Sequence, residues 1–444
     1  MRKLRSIIIC IAVILAAVQF PGQSLSAQGE EIIKPGEVLN LDRCIQVALL
    51  RQPSIISSYY SVEVNRSRVG QAQSNYYPQI GASGGYSKIS GLCSSSSGII
   101  SSCPSPSGTA NSFDQYTSSL TLSQNIYDFG KTSSQVKIQR FNLDSANSDL
   151  ETTKVQIVLN VKQAYYGVLQ AARNRDVAEE SIRQYQQHLE QARGFFDVGT
   201  KPRYDVITAE VNLSNAQLNF ITADNALKIA RVNLNNAMGV PDAPAYTIGD
   251  TLAFNKYELT LDDALARAMA NRPDIRSLIL RRQAAEENVS LVKTGYYPAL
   301  TGNAAYNWAG TNFPLESGWN IGVALSVPIF NGFLTTRQVE EAEANLNVAR
   351  ANEEVLRQSV VLDVQQSYLN MKQYEDSIAT ADLAVRQATE NLDIANGRYA
   401  AGVGNPIEVT DAQLTYSNAK LAYIQALTNY NVAHAGLLKA MGER

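Results

Sequence analysis

The stretch that decides the fold is VKQAYYGVLQAARNRDVAEESIRQYQQHLEQARGFFDVGTKP, residues 161–202, which ends a proline-free run from Gly130 to Val198. Apolar residues recur in this run at every seventh position, in two parallel series. The first series is Leu143, Leu150, Ile157, Ala164, Ala171, Ala178, Tyr185 and Ala192; the second is Val161, Val168, Ile182, Leu189 and Phe196, with a break at Arg175. A seven-residue period of this length indicates coiled-coil packing of a helix about 100 Å long. An ordinary globular helical bundle is the alternative, although globular helices average only about a dozen residues.

The same pattern returns after this run. It continues in three further series: Val206, Leu213, Phe220, Leu227 and Leu234; Val364, Met371, Ile378, Val385, Leu392 and Tyr399; and Val409, Tyr416, Tyr423, Tyr430 and Leu437. A short segment that contains glycine and proline lies within each pair of predicted helices: 199–202 between the first two, and 402–406 between the last two. Glycine suits the left-handed residue after a helix, and Asn405 with Pro406 and Glu408 has the pattern of a helix start with a capping box. The sequence therefore predicts two long helical hairpins with tight tips.

The chain is internally duplicated. The segment 39–55 resembles 259–275, and Tyr76-Tyr77-Pro78 recurs as Tyr296-Tyr297-Pro298, at a shift of 220 residues. The hairpins match at a shift of 203, so the first half has 17 extra residues, which we place in a long surface loop between Tyr86 and Leu120. We predict a signal peptide over 1–27, a first repeat over 28–240, a linker over 241–256 and a second repeat over 257–444.

Four short segments with a period of two lie between the helices. The clearest has Trp319, Ile321, Val323, Leu325, Val327 and Ile329 on one face. The others cover 300–308, 116–126 and, more weakly, 80–86. Such alternation fits an outer-membrane strand, with a soluble two-sheet core as the alternative. Because about eight strands are needed to close a barrel, the chain would have to oligomerise, and three copies would supply twelve strands.

Composition and the N-terminus narrow the class of protein. A net charge of −3 predicts no nucleic-acid partner, and the two histidines, His188 and His434, are too few for a histidine-rich metal centre. Arg2, Lys3 and Arg5 precede an apolar run of about a dozen residues, which is too short to span a bilayer and is typical of a secretory signal. A permanent anchor is the alternative.

Taken together, these features resemble the TolC family of outer-membrane efflux proteins over roughly Val38 to Arg444. The resemblance is carried by the duplicated Leu-Asp…Pro-x-Ile openings, the two Tyr-Tyr-Pro motifs, residues 325–332 (LSVPIFNG) and the two tip segments. It implies a mainly α fold with a small β part: a trimer in the bacterial outer membrane with a twelve-stranded β-barrel and a helical barrel that extends into the periplasm. It also implies a channel with no enzymatic activity and no cofactor, which serves a periplasmic adaptor protein and an inner-membrane pump of RND or ABC type.

The resemblance also implies functional residues at the tips. Glu408 and Asp411 would line a constriction, and Tyr399 would contact Asp205 to hold it shut. Acidic residues in a first helical turn are also favoured by the helix dipole, so capping is the alternative for Glu408 in particular. A ring of such carboxylates would attract cations.

The second tip departs from the family pattern. The family often has a basic residue where this chain has Gly404. Whether this tip has an ionic latch is therefore an open question, and Lys201 or Arg203 of the first tip could supply the missing positive charge. The expected adaptor-docking residues are Gly199, Thr200, Gly402, Val403 and Gly404.

Two cysteines lie in the predicted long loop. Cys93 and Cys103 belong to an exported protein, where a disulfide is expected and two free thiols are the alternative.

A periplasmic coiled-coil adaptor is the main rival function, but adaptors usually have one hairpin and this sequence predicts two. A secreted enzyme is disfavoured by the shortage of catalytic constellations.

Overall fold

The computed structural model describes residues 33–90, 112–250 and 252–443. The predicted signal peptide and both Cys93 and Cys103 lie outside these described residues. No helix within them is both long and apolar enough to cross a bilayer.

Eight helices occupy most of the described chain, and their order is the same in the two halves. They are α1 (Leu41–Arg51), α2 (Pro53–Gln73), α3 (Lys131–Asp197), α4 (Arg203–Met238), α5 (Leu261–Asn271), α6 (Pro273–Lys293), α7 (Leu334–Ala400) and α8 (Pro406–Ala440). The strands are β1 (Val38–Leu39), β2 (Gln79–Ser90), β3 (Ser112–Tyr127), β4 (Thr247–Ile248), β5 (Ala299–Gly310) and β6 (Glu316–Ser326).

The two longest helices confirm the prediction from the seven-residue period. Helices α3 and α7 each contain 67 residues. Helix α3 packs along α4, and α7 packs along α8. Val161, Val168, Val364 and Met371 are buried, as their heptad positions require. Helix α3 also contacts α2, α6 and α8, so it joins the two hairpins.

Strands β2, β3, β5 and β6 form one antiparallel sheet in that order. The register aligns Leu120 with Tyr306 and Tyr306 with Trp319, which places them on one face. Ile321, which is 76% exposed, continues this apolar face. The outer edges of β2 and β6 have no strand partner within the described residues.

Two strand boundaries differ from the prediction. The loop was expected between Tyr86 and Leu120, but both ends of this segment are strand: β2 continues to Ser90, and β3 already begins at Ser112. Strand β6 ends at Ser326, although the alternation continues to Ile329. Pro328 lies in this continuation, and its lack of an N–H donor disfavours further pairing.

Residues 33–38 and 244–247 belong to a separate small unit. Within it, the Gly36 N–H donates to the Ala245 carbonyl at 2.8 Å, and the Thr247 N–H donates to the Glu37 carbonyl at 3.0 Å.

Candidate functional site

The two hairpin tips share one backbone design. Gly199 follows α3 with a φ of 76°, and Gly402 follows α7 with a φ of 77°. The Gly199 N–H donates to the Phe196 carbonyl, and the Gly402 N–H donates to the Tyr399 carbonyl. A left-handed residue after a helix satisfies its last carbonyl groups, and glycine adopts this conformation without strain. The two turns therefore lie at Gly199 and Gly402, where the sequence predicted them.

Gly404 is buried against the end of α7. A Cβ atom there would lie 2.7 Å from the Tyr399 nitrogen and 2.9 Å from the Arg398 carbonyl carbon. The Gly404 N–H also donates to the Arg398 carbonyl at 2.9 Å. This close approach explains why the tip has no basic side chain at this position. Lys201 of the first tip reaches across instead, with its Nζ 3.5 Å from the Gly404 carbonyl oxygen.

Tyr399 is completely buried between the two hairpins. Its ring packs edge-on against Phe195, with centroids 5.5 Å apart, and lies 4.9 Å from the ring of His188. The Tyr399 hydroxyl has no hydrogen-bond partner among the described residues.

Asp205, in the first turn of α4, is also buried, with 8% of its surface exposed. Burial raises the pKa of Tyr399, and the nearby Asp205 charge raises it further. The structure thus brings the two predicted residues near each other without a hydrogen bond between them.

Glu408 and Asp411 both lie on α8 and are exposed. The Glu408 carboxylate is 3.4 Å from the Arg398 Nε, an ion pair across the second tip. Asn405 caps α8 by accepting from the Ile407 N–H at 2.9 Å. Asn405 is therefore the N-cap, as predicted, but it bonds the second helical residue and the Glu408 side chain faces Arg398, so the predicted capping box is not formed. Asp411 lies close enough to Tyr185 to raise the pKa of that phenol, after the larger effect of burial.

The predicted docking residues are exposed, apart from Gly404. Val403 is 71% exposed, and Val198 of the first tip is equally exposed. The Thr200 hydroxyl donates to the Phe195 carbonyl at 2.8 Å, which ties it to the tip backbone. Tyr204 and Ile407 add further exposed apolar surface at the starts of α4 and α8.

An ion pair that the sequence did not reveal joins the hairpins above the tips. Glu180 of α3 accepts from the Tyr416 hydroxyl at 3.0 Å and from the Lys420 Nζ at 2.7 Å, both on α8. Burial alone would raise the pKa of Glu180, but these two hydrogen bonds outweigh it and hold the pKa below its usual value. Heptad analysis places Tyr416 in an apolar series, but it does not identify Glu180 and Lys420, which lie outside the apolar series, as its polar partners.

Comparison with known proteins gives a consistent result. A family model described as "Outer membrane efflux protein" matches residues 44–240 and 264–443. The chain is 25% identical to "Outer membrane protein TolC" of Escherichia coli K12, over 94% of this chain and 85% of that protein. It is 23% identical to "Cation efflux system protein CusC" of the same organism, over 86% of this chain and 78% of that protein.

Solved structures have the same fold. The crystal structure of the Campylobacter jejuni CmeC outer membrane channel matches with a TM-score of 0.77 at 18% identity, covering 90% of this chain and 85% of that one. The Neisseria gonorrhoeae MtrE outer membrane channel, in its open state, matches with a TM-score of 0.72 at 20% identity, covering 91% and 89% respectively.

Proposed function

The chain belongs to the outer membrane efflux protein family, and from this premise we propose that three copies form a conduit gated at the hairpin tips. The protein is an outer-membrane efflux channel that extends into the periplasm. The rival function, a periplasmic adaptor, is not favoured, because both the family model and the matched relatives are outer-membrane proteins.

The main support for the proposed trimer is that the sheet has two open edges. Strands β2 and β6 each leave an unpaired edge within the described residues, and the apolar face is exposed. Open edges are not tolerated in lipid, and four strands are about half of the smallest closed barrel. Three copies, joined β6 to β2, would close a twelve-stranded barrel in outer-membrane lipid.

A second unpartnered surface supports the same assembly. Helix α7 has a series of exposed apolar residues at seven-residue spacing: Val348, Val355, Leu362 and Leu369. A heptad series that is left exposed by the described residues of its own chain is expected to pack against a helix of a neighbouring copy.

The gate itself is proposed at the tips. Tyr399 and Asp205, buried where the hairpins meet, would hold the closed arrangement by packing and electrostatics. Glu408 and Asp411 would contribute six carboxylates in a trimer, which would attract cations to the opening. Transport would involve no chemical step and no cofactor.

Partners are proposed from the tips and from the names of relatives. One relative is called a toxin and drug export protein and another a cation efflux system protein. We propose that the exposed apolar tip residues, Val198 and Val403 in particular, contact a periplasmic adaptor, which connects the channel to an inner-membrane pump of RND or ABC type.

Two measurements test the proposed function. The protein, purified in detergent, should have the mass of a trimer by light scattering, and its reconstitution into planar bilayers should give discrete conductance steps. A stable, water-soluble monomer without detergent would contradict the open-edge argument. A trimer without any conductance, even with the tips destabilised by Tyr399→Ala, would contradict the conduit.

A further inference from the structure

A buried histidine lies inside the candidate gate. His188 of α3 is 4% exposed, and its Nδ1 has no hydrogen-bond partner among the described residues. Its ring is 4.9 Å from that of Tyr399 on α7, whose hydroxyl is likewise buried without a partner. Buried polar atoms without partners are rare in folded proteins. Here the rings that bear two such atoms, one from each hairpin, pack against each other at the candidate gate.

The charged groups around His188 come from several elements. Asp205 of α4 is the acidic group whose charge acts on the imidazole. Lys201, in the first tip, has its Nζ 5.9 Å from the Tyr399 ring centroid. On α8, Glu408 is engaged by Arg398, and Asp411 acts on Tyr185. A proton on His188 would therefore add a positive charge to a buried site, where Asp205 is the carboxylate among the described residues that acts on the imidazole.

We propose that His188 is a proton-operated latch: the neutral imidazole permits the closed packing of the tips, and protonation from the periplasmic side releases it. This inference rests on the proposed gate. Neutral imidazole can be buried against Tyr399 at little electrostatic cost, whereas imidazolium requires water or a close counter-ion. Separation of the hairpins would provide that water.

The direction of the effect follows from the state of the buried ring. Burial lowers the pKa of His188 from its ordinary value of 6.5, and Asp205 opposes part of this change. With the tips open and the ring hydrated, the pKa would return towards the ordinary value. The contribution of His188 to the closed state is thus complete above about pH 6.5 and is progressively lost as the pH falls towards the lowered pKa. Each pH unit in this window shifts the open-to-closed ratio by up to about tenfold per subunit.

The test uses the full trimer in planar bilayers, with only the periplasmic side titrated from about pH 7.5 to about pH 5.5, the range in which histidines titrate. The wild type should show a rising open probability as the pH falls. His188→Gln, which stays neutral but remains polar, should lose this rise. Asp205→Asn removes the carboxylate that stabilises imidazolium in the closed state, so it should increase the open probability that is reached at the acid end of the titration. Heat-resistant trimers on gels establish that each variant assembles.

His434→Gln is the matched control. His434 is also buried, with an unpartnered Nε2 and a pKa that burial lowers. Lys162, whose charge acts on it, is about 40 Å from His188 along α3 at about 1.5 Å per residue. This variant should keep the full pH response. The proposal is overturned if His188→Gln retains the response, or if acid lowers the open probability of the wild type. Absence of any conductance in the wild type and the tip-destabilised channel would instead reject the proposed function.

Discussion

Gly404 offers the sharpest test of how the second tip is held. In Gly404→Ala, the added methyl would lie 2.7 Å from the Tyr399 nitrogen and 2.9 Å from the Arg398 carbonyl carbon. Both are backbone atoms at the end of α7, so they cannot move aside by a rotamer change. Overpacking of this kind costs about 1–3 kcal/mol. The contact lies within the second tip, so the turn must shift to relieve the strain, and this shift would move the Gly404 carbonyl away from Lys201 of the first tip. We therefore expect the open state, which does not need this contact between the hairpins, to gain.

The size of the effect follows from that energy. A cost of about 1–3 kcal/mol that falls wholly on the closed state corresponds to a shift of roughly 5- to 150-fold in the closed-to-open ratio of each subunit, and this is the upper limit of the effect. Planar-bilayer recordings of the trimer should therefore show a clearly higher open probability for Gly404→Ala than for the wild type.

Gly397→Ala is the matched control. Gly397 lies in α7 near the same tip, and nothing is within 4 Å of its would-be Cβ. Alanine there should stabilise the helix by about 1 kcal/mol and leave the gate closed. If Gly404→Ala and Gly397→Ala gave the same open probability as the wild type, the close approach of Gly404 would not hold the tip.

Three further predictions concern the other contacts. Tyr399→Phe should leave the conductance unchanged or slightly lower, because it removes a buried hydroxyl that has no partner. Tyr399→Ala should raise the conductance. A high conductance for the phenylalanine variant would instead indicate that a hydrogen bond of the Tyr399 hydroxyl holds the gate closed. Lys420→Met should lower the thermal stability of the trimer near neutral pH and flatten its loss in acid, measured by gel migration after heating. In the wild type, the Glu180 contribution is complete above a pH of about 4.5, the ordinary carboxyl pKa, and disappears as the pH falls through its lowered value, so an unaltered acid profile would argue against this ion pair. Ile321→Lys should impair heat-modifiable folding into lipid vesicles by about 2–4 kcal/mol if it lies at mid-bilayer, while Asn320→Lys on the opposite face should fold normally; equal effects would mean that the apolar face does not meet lipid.

The sequence predicted the long helices well because their packing repeats. Residues such as Val161 and Met371 recur at seven-residue intervals, and each is buried where that interval places it. The tips were also predictable, because Gly199 and Gly402 supply a backbone conformation that other residues rarely adopt. These features depend on local chemistry, which a sequence displays directly.

The contacts at the candidate site were harder to predict. Arg398 and Glu408 face each other across a turn, and Glu180 and Lys420 are 240 residues apart. Such pairs depend on the relative rotation of antiparallel helices, which apolar spacing does not specify. The sequence analysis excludes His188 from a histidine-rich metal centre but assigns it no role, because nothing in its neighbours along the chain indicates that Tyr399 lies beside it.

The equal length of α3 and α7 constrains which insertions and deletions the chain can accept. Each helix has 67 residues, and the tips that they carry touch through Lys201 and the Gly404 carbonyl. One residue added to either arm alone would advance its tip by about 1.5 Å and rotate it by about a quarter turn, breaking that contact. Length changes should therefore be tolerated only as whole heptads made in both arms of both hairpins at once.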